Sequence, residues 1–351
     1  MITRSRSFSG CKRIPISPGM FFFTLSLAFL FLLPRSSLVL GKGRDVGNTG
    51  PTPLADAALE EYPPGDRRFS VVSLANETSV GTKPYAHILV SPALEPKLYA
   101  ALEEAYPPLS VLMALSGKAP TVRKGSNVRR DIPASISLQG YNVTEDAMGK
   151  LEYDKEDKKK HPVHPLWQRF VEYHISDKFY EDLSKLAGEH IAKFHGKKYV
   201  YGDPGYHGVQ TRRAHAHKFK PSVDMDCQIS FNTPVTKRSQ VRGAHIDSAI
   251  KIFGALYYFK HAEDTSHGGD FSLYSCRGGC KPLSSSKVKT GNGHKQHTMF
   301  SARDTHVVTN VPYSANTFVL FINSKYAVHG VTPRSVTPYP RRLINFIGNR
   351  L

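Results

Sequence analysis

The chain has 351 residues, of which 40% are hydrophobic and 22% charged. This is ordinary globular composition, which excludes a disordered or fibrous polymer and allows a sizeable core in one large domain or two modest ones. The net charge of +18 (47 Lys+Arg against 29 Asp+Glu) favours anionic partners, but the basic residues are scattered and no aromatics are interleaved with them to stack bases, which disfavours nucleic acid.

A basic leader (Arg4, Arg6, Lys12, Arg13) precedes Met20–Leu33, an uncharged apolar run closed by Pro34 and Arg35. As a helix the run would rise roughly 21 Å, short of a hydrocarbon core of roughly 30 Å. Residues 1–41 are therefore expected to be a cleaved secretory signal with Gly41 near the cut. A single-pass membrane anchor extended through Leu38, Val39 and Leu40 is the first alternative, and a plastid-directed leader the second. The sequons at Asn76 and Asn142 lean toward the secretory pathway (ER or Golgi lumen or membrane) or secretion. Residues 42–82, rich in Gly, Pro and Asp at their start, read as an exposed linker.

Residues 83–200 read as a helical N-terminal region. It opens with a short strand at Ala86–Val90 and a helix over Pro96–Tyr106, where Leu98, Ala101, Leu102 and Ala105 recur at helical spacing. Ser116–Asp131 lacks apolar anchors and reads as loop, and the lysine run Lys158–Lys160 as an exposed excursion. Leu166–Phe194 carries one more helical pattern through Phe170, Phe179, Leu183, Leu186 and Ile191. His174 and His190 fall on that helix as face residues rather than ligands. From Tyr199 the texture changes to short aromatic and β-branched runs: Cys227–Phe231, Ile252–Phe259, Phe271–Tyr274, Thr317–Ile322 and Leu343–Ile347. Such runs without intervening helices predict a β-sandwich or jelly roll over residues 201–351, hence an α+β chain with a helical layer supporting a β-core.

His245 and Asp247 stand two apart, so on a strand both side chains face one way while Ile246 turns into the core. They supply an imidazole and a carboxylate of a 2-His-1-carboxylate metal site. His329, which follows the strand at Phe318–Ile322, is the best third ligand. Three ligands on one face of an octahedral iron leave three positions open, enough for a bidentate 2-oxo acid and dioxygen. Arg341 and Arg342 follow where the next strand is expected, and a guanidinium there can hold the far carboxylate of a diacid.

These segments resemble the prolyl-hydroxylase-like 2-oxoglutarate/iron(II) dioxygenases. The resemblance lies in HIDSAIKIFGALYYF followed by GGDFSLY, and in NTFVLFINSKYAVHGVTP followed by RRLINFIG. The early KPYAHILVSPALEPKLYAALEEAYP is similar to the helical lead-in of the same family. The resemblance implies a double-stranded β-helix core, iron(II) held by His245, Asp247 and His329, and 2-oxoglutarate as cosubstrate, with ascorbate a candidate reductant. It implies that Arg341, or Arg342 as its alternate, holds the 5-carboxylate, since period-two geometry turns only one of two neighbours inward. Tyr258, or its neighbour Tyr257, would hydrogen-bond that carboxylate, and Gly268, Gly269 and Asp270 would shape a turn. The implied activity is hydroxylation of a C–H bond in a peptide or protein substrate, with prolyl residues first among candidates. The stretch from His329 to Arg341 departs from the family pattern: it holds three prolines and lacks the Gly usual before the basic residue. The competing readings are a non-enzymatic secretory jelly-roll binding module and another mononuclear metal oxygenase or isomerase.

Four cysteines are too few for a disulfide-built scaffold. Cys276 and Cys280 bracket a flexible Arg-Gly-Gly, which admits either a local disulfide or two free thiols. A zinc site that adds His294 and His297 is disfavoured because the gap between those histidines is shorter than usual. The basic loop Arg277–His297 reads as an insertion, either lining the substrate entrance or without order.

Overall fold

Strand runs that are apolar on both faces need cover on both sides, and the chain supplies it with helices on one side and a second sheet on the other. The computed structural model describes residues 53–115, 127–138, 142–145, 151–154, 163–211, 220–276, 283 and 297–351. The apolar run Met20–Leu33, the lysine run, Cys280, His294 and nearly all of the basic loop lie outside the described residues. Among the described residues no helix is long and apolar enough to cross a membrane.

In chain order come helix α1 (Pro53–Glu61), strands β1 (Val80–Gly81) and β2 (His87–Val90), helices α2 (Pro96–Glu104) and α3 (Leu109–Leu115), strand β3 (Arg129–Ile132) and helix α4 (Ala134–Ser137). The hairpin β4 (Asn142–Glu145) and β5 (Leu151–Asp154) precedes helices α5 (Pro165–His174) and α6 (Asp177–His195). The remainder is β: β6 (Val209–Thr211), β7 (Val223–Asn232), β8 (His245–Asp247), β9 (Lys251–Tyr258) and β10 (Phe271–Cys276). Then follow β11 (His297–Met299), β12 (Thr305–Val311), β13 (Thr317–Ile322), β14 (His329–Val331) and β15 (Arg341–Arg350).

The larger sheet places β13, β9, β15 and β7 side by side, and the smaller places β8, β14, β10 and β12 side by side. The chain crosses between the sheets from β7 to β8, β8 to β9 and β9 to β10, and again from β12 to β13, β13 to β14 and β14 to β15, while within each sheet these neighbouring strands pair antiparallel. This interleaving is a double-stranded β-helix, the jelly roll expected from the sequence. The early strands β1 and β2 extend the larger sheet at β13, and β3 extends it at β7.

Side chains of the larger sheet alternate between two cores. Ala255, Tyr257, Ile344 and Phe346 face the helices, where they join Trp167, Phe170, Phe179 and Leu183. Leu256, Tyr258, Val319 and Leu343 face the smaller sheet and meet Phe271, Leu273 and Val311. Trp167 anchors the helical side: it is fully buried, and its indole N–H donates to Leu102 O at 3.0 Å. Truncating a tryptophan packed in this way costs about 3–5 kcal/mol.

Three features differ from the sequence reading, and at Cys276 the structure decides between the two alternatives left open. The segment read as linker is structured from Pro53 onward, and Ala55, Tyr62, Phe69 and Val71 within it are fully buried. The helical pattern over 166–194 is two helices, with the chain turning at Ile175 and Ser176, where Ser176 Oγ donates to Tyr173 O at 2.6 Å. Arg129–Ile132, read as loop, is a strand at the sheet edge. Cys276 is disulfide-bonded, and its partner lies outside the described residues.

Candidate metal centre

His245 and His329 sit directly opposite each other on the adjacent antiparallel strands β8 and β14. Their ring centroids lie 4.2 Å apart. Asp247, two residues along β8, turns to the same side, while Ile246 packs outward against Ala244, Phe300 and Val328. His245 Nε2 is 3.6 Å from Asp247 Oδ1, and His329 Nε2 is 3.6 Å from Asp247 Oδ2. One ligand atom from each residue lies within 4.8 Å of the other two, and all three residues are buried. The structure thus brings together the three ligands read from the sequence.

The imidazoles are prepared as ligands by their backbones. His245 Nδ1 donates to Gly243 O at 2.8 Å, and His329 Nδ1 donates to Ala327 O at 2.9 Å. With Nδ1 engaged as a donor, the Nε2 lone pair of each ring faces the shared space. Burial pushes the His329 imidazole down to about 3, helped by the neighbouring His245, and burial also lowers His245. Both rings are therefore neutral near pH 7, as metal ligation requires. Phe321 and Phe271 pack on His329 at 4.1 and 5.5 Å between centroids, which makes that wall apolar. A neutral, preoriented 2-His-1-carboxylate set on an apolar wall fits a divalent metal, and it is the facial arrangement used by non-haem iron oxygenases.

Arg341 and Arg342 part company at the start of β15. Arg341 turns between the sheets, is fully buried, and donates from Nε to Gly269 O at 2.9 Å, from Nη1 to Asn232 Oδ1 at 3.2 Å and from Nη2 to Tyr258 Oη at 3.0 Å. Its guanidinium also lies over the rings of Tyr258 and Tyr313, at 4.9 and 5.2 Å from their centroids. Among the described residues no carboxylate lies within ion-pair distance of it, and each terminal nitrogen keeps an N–H without a protein partner. A buried cation with spare donors and no counter-charge is costly unless an anion joins it. Burial pushes the Tyr258 phenol up to about 12, so it stays a neutral donor.

Arg342 turns the other way. It donates to Phe259 O at 2.8 Å and pairs with Glu103 at 2.7 Å, tying β15 to α2. Tyr257 likewise faces the helical core, and its hydroxyl donates to Asn316 Oδ1 at 2.7 Å. Of each sequence-predicted pair, the first arginine and the second tyrosine share the interior with the ligands' sheet; Arg342 and Tyr257 are scaffold.

Gly268 and Gly269 both have φ +80. A Cβ at Gly268 would meet Pro333 O at 2.0 Å, and one at Gly269 would meet Arg341 Cδ at 3.3 Å. The turn thus needs glycine both for its backbone and for the close approach of Arg341. The Asp270 carboxylate accepts from Tyr313 N at 3.0 Å and from the Thr332 hydroxyl at 3.1 Å, and so closes the same turn.

Several residues of this region carried no sequence signal. Asn232 and Tyr313 support Arg341 from β7 and from the loop before β13. Arg334, fully buried, pairs with Asp264 at 2.5 Å beneath Tyr313, whose centroid is 5.4 Å from its guanidinium. Lys251 Nζ donates to Asp247 Oδ2 at 2.7 Å. The position of Lys251, four residues after a ligand at the head of an apolar strand, was the one available hint.

No protein-family model matches the chain, and no curated protein matches it in sequence. Among solved structures it is similar to a Pseudomonas putida prolyl-4-hydroxylase, with 11% identity and a TM-score of 0.35 over 81% of this chain and 98% of that one. It is also similar to the Fe(II)/α-ketoglutarate-dependent dioxygenase TqaL, with 12% identity and a TM-score of 0.32 over 85% and 90% of the two chains. The α-ketoglutarate-dependent epimerase SnoN of nogalamycin biosynthesis aligns with 12% identity and a TM-score of 0.31 over 84% and 82%.

Proposed function

We propose that this chain is an iron(II)- and 2-oxoglutarate-dependent dioxygenase that hydroxylates a C–H bond of a peptide or protein, with prolyl residues the first candidates. The observation that carries the reading is Arg341: a fully buried guanidinium, without a carboxylate partner among the described residues, in the same jelly roll as a His/Asp/His ligand set. Such a pairing answers to a ligand with a metal-chelating end and a distant carboxylate, as in 2-oxoglutarate.

When bound, ferrous iron with the 2-oxo acid and O2 supplies the oxidising chemistry, and succinate and CO2 accompany the hydroxylated product. His245, Asp247 and His329 would hold the ion. Arg341 and Tyr258 hold the far carboxylate and so fix the cosubstrate's direction. Phe271 and Phe321 keep water from the His329 side of the site.

A non-enzymatic binding module would share the fold. Two neutral buried imidazoles beside a carboxylate, and a buried arginine without a carboxylate partner among the described residues, oppose folding without serving such a module. Iron-loaded protein given labelled 2-oxoglutarate, ascorbate and a panel of proline-rich peptides is expected to release succinate and to give a product heavier by one oxygen. No succinate with any peptide, or in uncoupled turnover, overturns the dioxygenase reading; succinate without peptide oxidation overturns only the prolyl assignment.

A further inference from the structure

The connection from β8 to β9 is held at every carbonyl. Asn323 Nδ2 donates to Ser248 O at 2.9 Å and to Lys251 O at 3.0 Å. Arg350 Nη2 donates to Ala249 O at 2.6 Å, and Arg350 N donates to Ile250 O at 2.8 Å. Lys251 N closes the turn on Ser248 O at 3.1 Å. This clamp fixes the backbone from which the Lys251 side chain runs back to Asp247. Its ammonium donates to Asp247 Oδ2 at 2.7 Å, with side-chain exposures of 17% and 6%. The pair is therefore not a solvated surface contact of the kind that contributes little, and ordering a long lysine side chain opposes folding.

A carboxylate can bind a metal through one oxygen or both. Each oxygen of the Asp247 carboxylate lies 3.6 Å from one imidazole, Oδ1 from His245 Nε2 and Oδ2 from His329 Nε2, but only Oδ2 also accepts from the Lys251 ammonium. We propose that Lys251 is a positioning residue that restricts Asp247 to ligation through one oxygen, and so keeps a coordination position for a chelating co-ligand. This rests on the metal-centre reading of His245, Asp247 and His329. A cation also repels a divalent ion, so affinity for the ion alone is a poor reporter of the role; affinity for a chelating co-ligand on the loaded centre is the better one.

Co(II) is the probe metal, because its visible absorption follows coordination number. Oxalate is the probe co-ligand, because it chelates through two oxygens and has no distal carboxylate for Arg341. Wild type is expected to bind both. Lys251→Met and, independently, Lys251→Gln are expected to bind Co(II) with an altered visible spectrum and to lose oxalate affinity by about 10-fold or more, the usual scale for losing a hydrogen-bond partner of a ligand. Lys251→Arg, which keeps a charged donor, is expected to retain the wild-type spectrum and oxalate affinity. Unchanged spectra and oxalate affinity in the Met or Gln variant, with Co(II) bound, overturn the role of Lys251 alone. Failure of wild type to bind Co(II) overturns the metal-centre reading and this inference with it.

Discussion

Arg341 and Tyr258, 83 residues apart in the chain, meet through a 3.0 Å hydrogen bond between the two sheets of the jelly roll. The phenol does not neutralise the guanidinium; it orients it and leaves donors for an anion. Arg341→Met should therefore raise the KM for 2-oxoglutarate by about 100-fold, since removing a buried charge partner costs about 3 kcal/mol. Tyr258→Phe removes one neutral hydrogen bond and should raise it roughly fivefold, about 1 kcal/mol. Arg342→Met should leave that KM unchanged and lower stability through the lost Glu103 pair. Steady-state kinetics beside thermal melts separate the three outcomes.

Metal binding should be visible as stability. With a divalent ion at about 100 times its Kd, wild type should gain about 2.7 kcal/mol. His245→Ala, Asp247→Ala and His329→Ala should each abolish the gain. Anaerobic melts with and without Fe(II) check this, and a gain that survives in all three variants would place the ion elsewhere.

The buried His174 predicts acid lability in the metal-free protein. It is fully buried, accepts from Val71 N at 3.3 Å, and is pushed down to about 3 by burial. Above a pH of about 6.5 neither the folded nor the unfolded chain protonates it, and it adds no pH dependence. As pH falls from there toward about 3, the unfolded chain takes up a proton that the native state refuses, and stability drops by about 1.4 kcal/mol per pH unit. His174→Gln should lessen that slope, read from urea unfolding between roughly pH 4 and 6. His329, also near 3 without metal, adds a similar slope that bound metal should alter.

Arg334 and Asp264 form the ion pair beneath Tyr313, and both side chains are inaccessible to solvent. Asp264→Asn should cost about 3–5 kcal/mol, because it strands a buried guanidinium. Replacing both partners with apolar residues should recover much of the loss. Denaturant unfolding of the single and double variants decides it.

Much of the β-core was legible because its strands are apolar on both faces: Ile252–Tyr258 and Thr317–Ile322 stand out against polar turns. The His245, Asp247, His329 set was legible too, since two of its members share a strand. The choice between Arg341 and Arg342, and between Tyr257 and Tyr258, needed the register of β15 against β9, which pairs Leu343 with Tyr258. No local pattern supplies that. Residues 53–82 were misread because their Pro, Gly and Asp content resembles a linker, although Tyr62 and Phe69 are core residues. The strand Arg129–Ile132 was missed because three of its four residues are charged, which leaves Ile132 as its single apolar core residue, while Asp131 accepts from Ser230 Oγ at 2.6 Å.

The larger sheet separates the helices' core from the inter-sheet core, so adjacent residues in its strands serve different masters. Shifting β15 by one residue would turn Arg341 toward Glu103 and Arg342 inward. Such a frame slip would dismantle the buried arginine site without removing a single side chain, which makes the length of these strands as critical to the site as their composition.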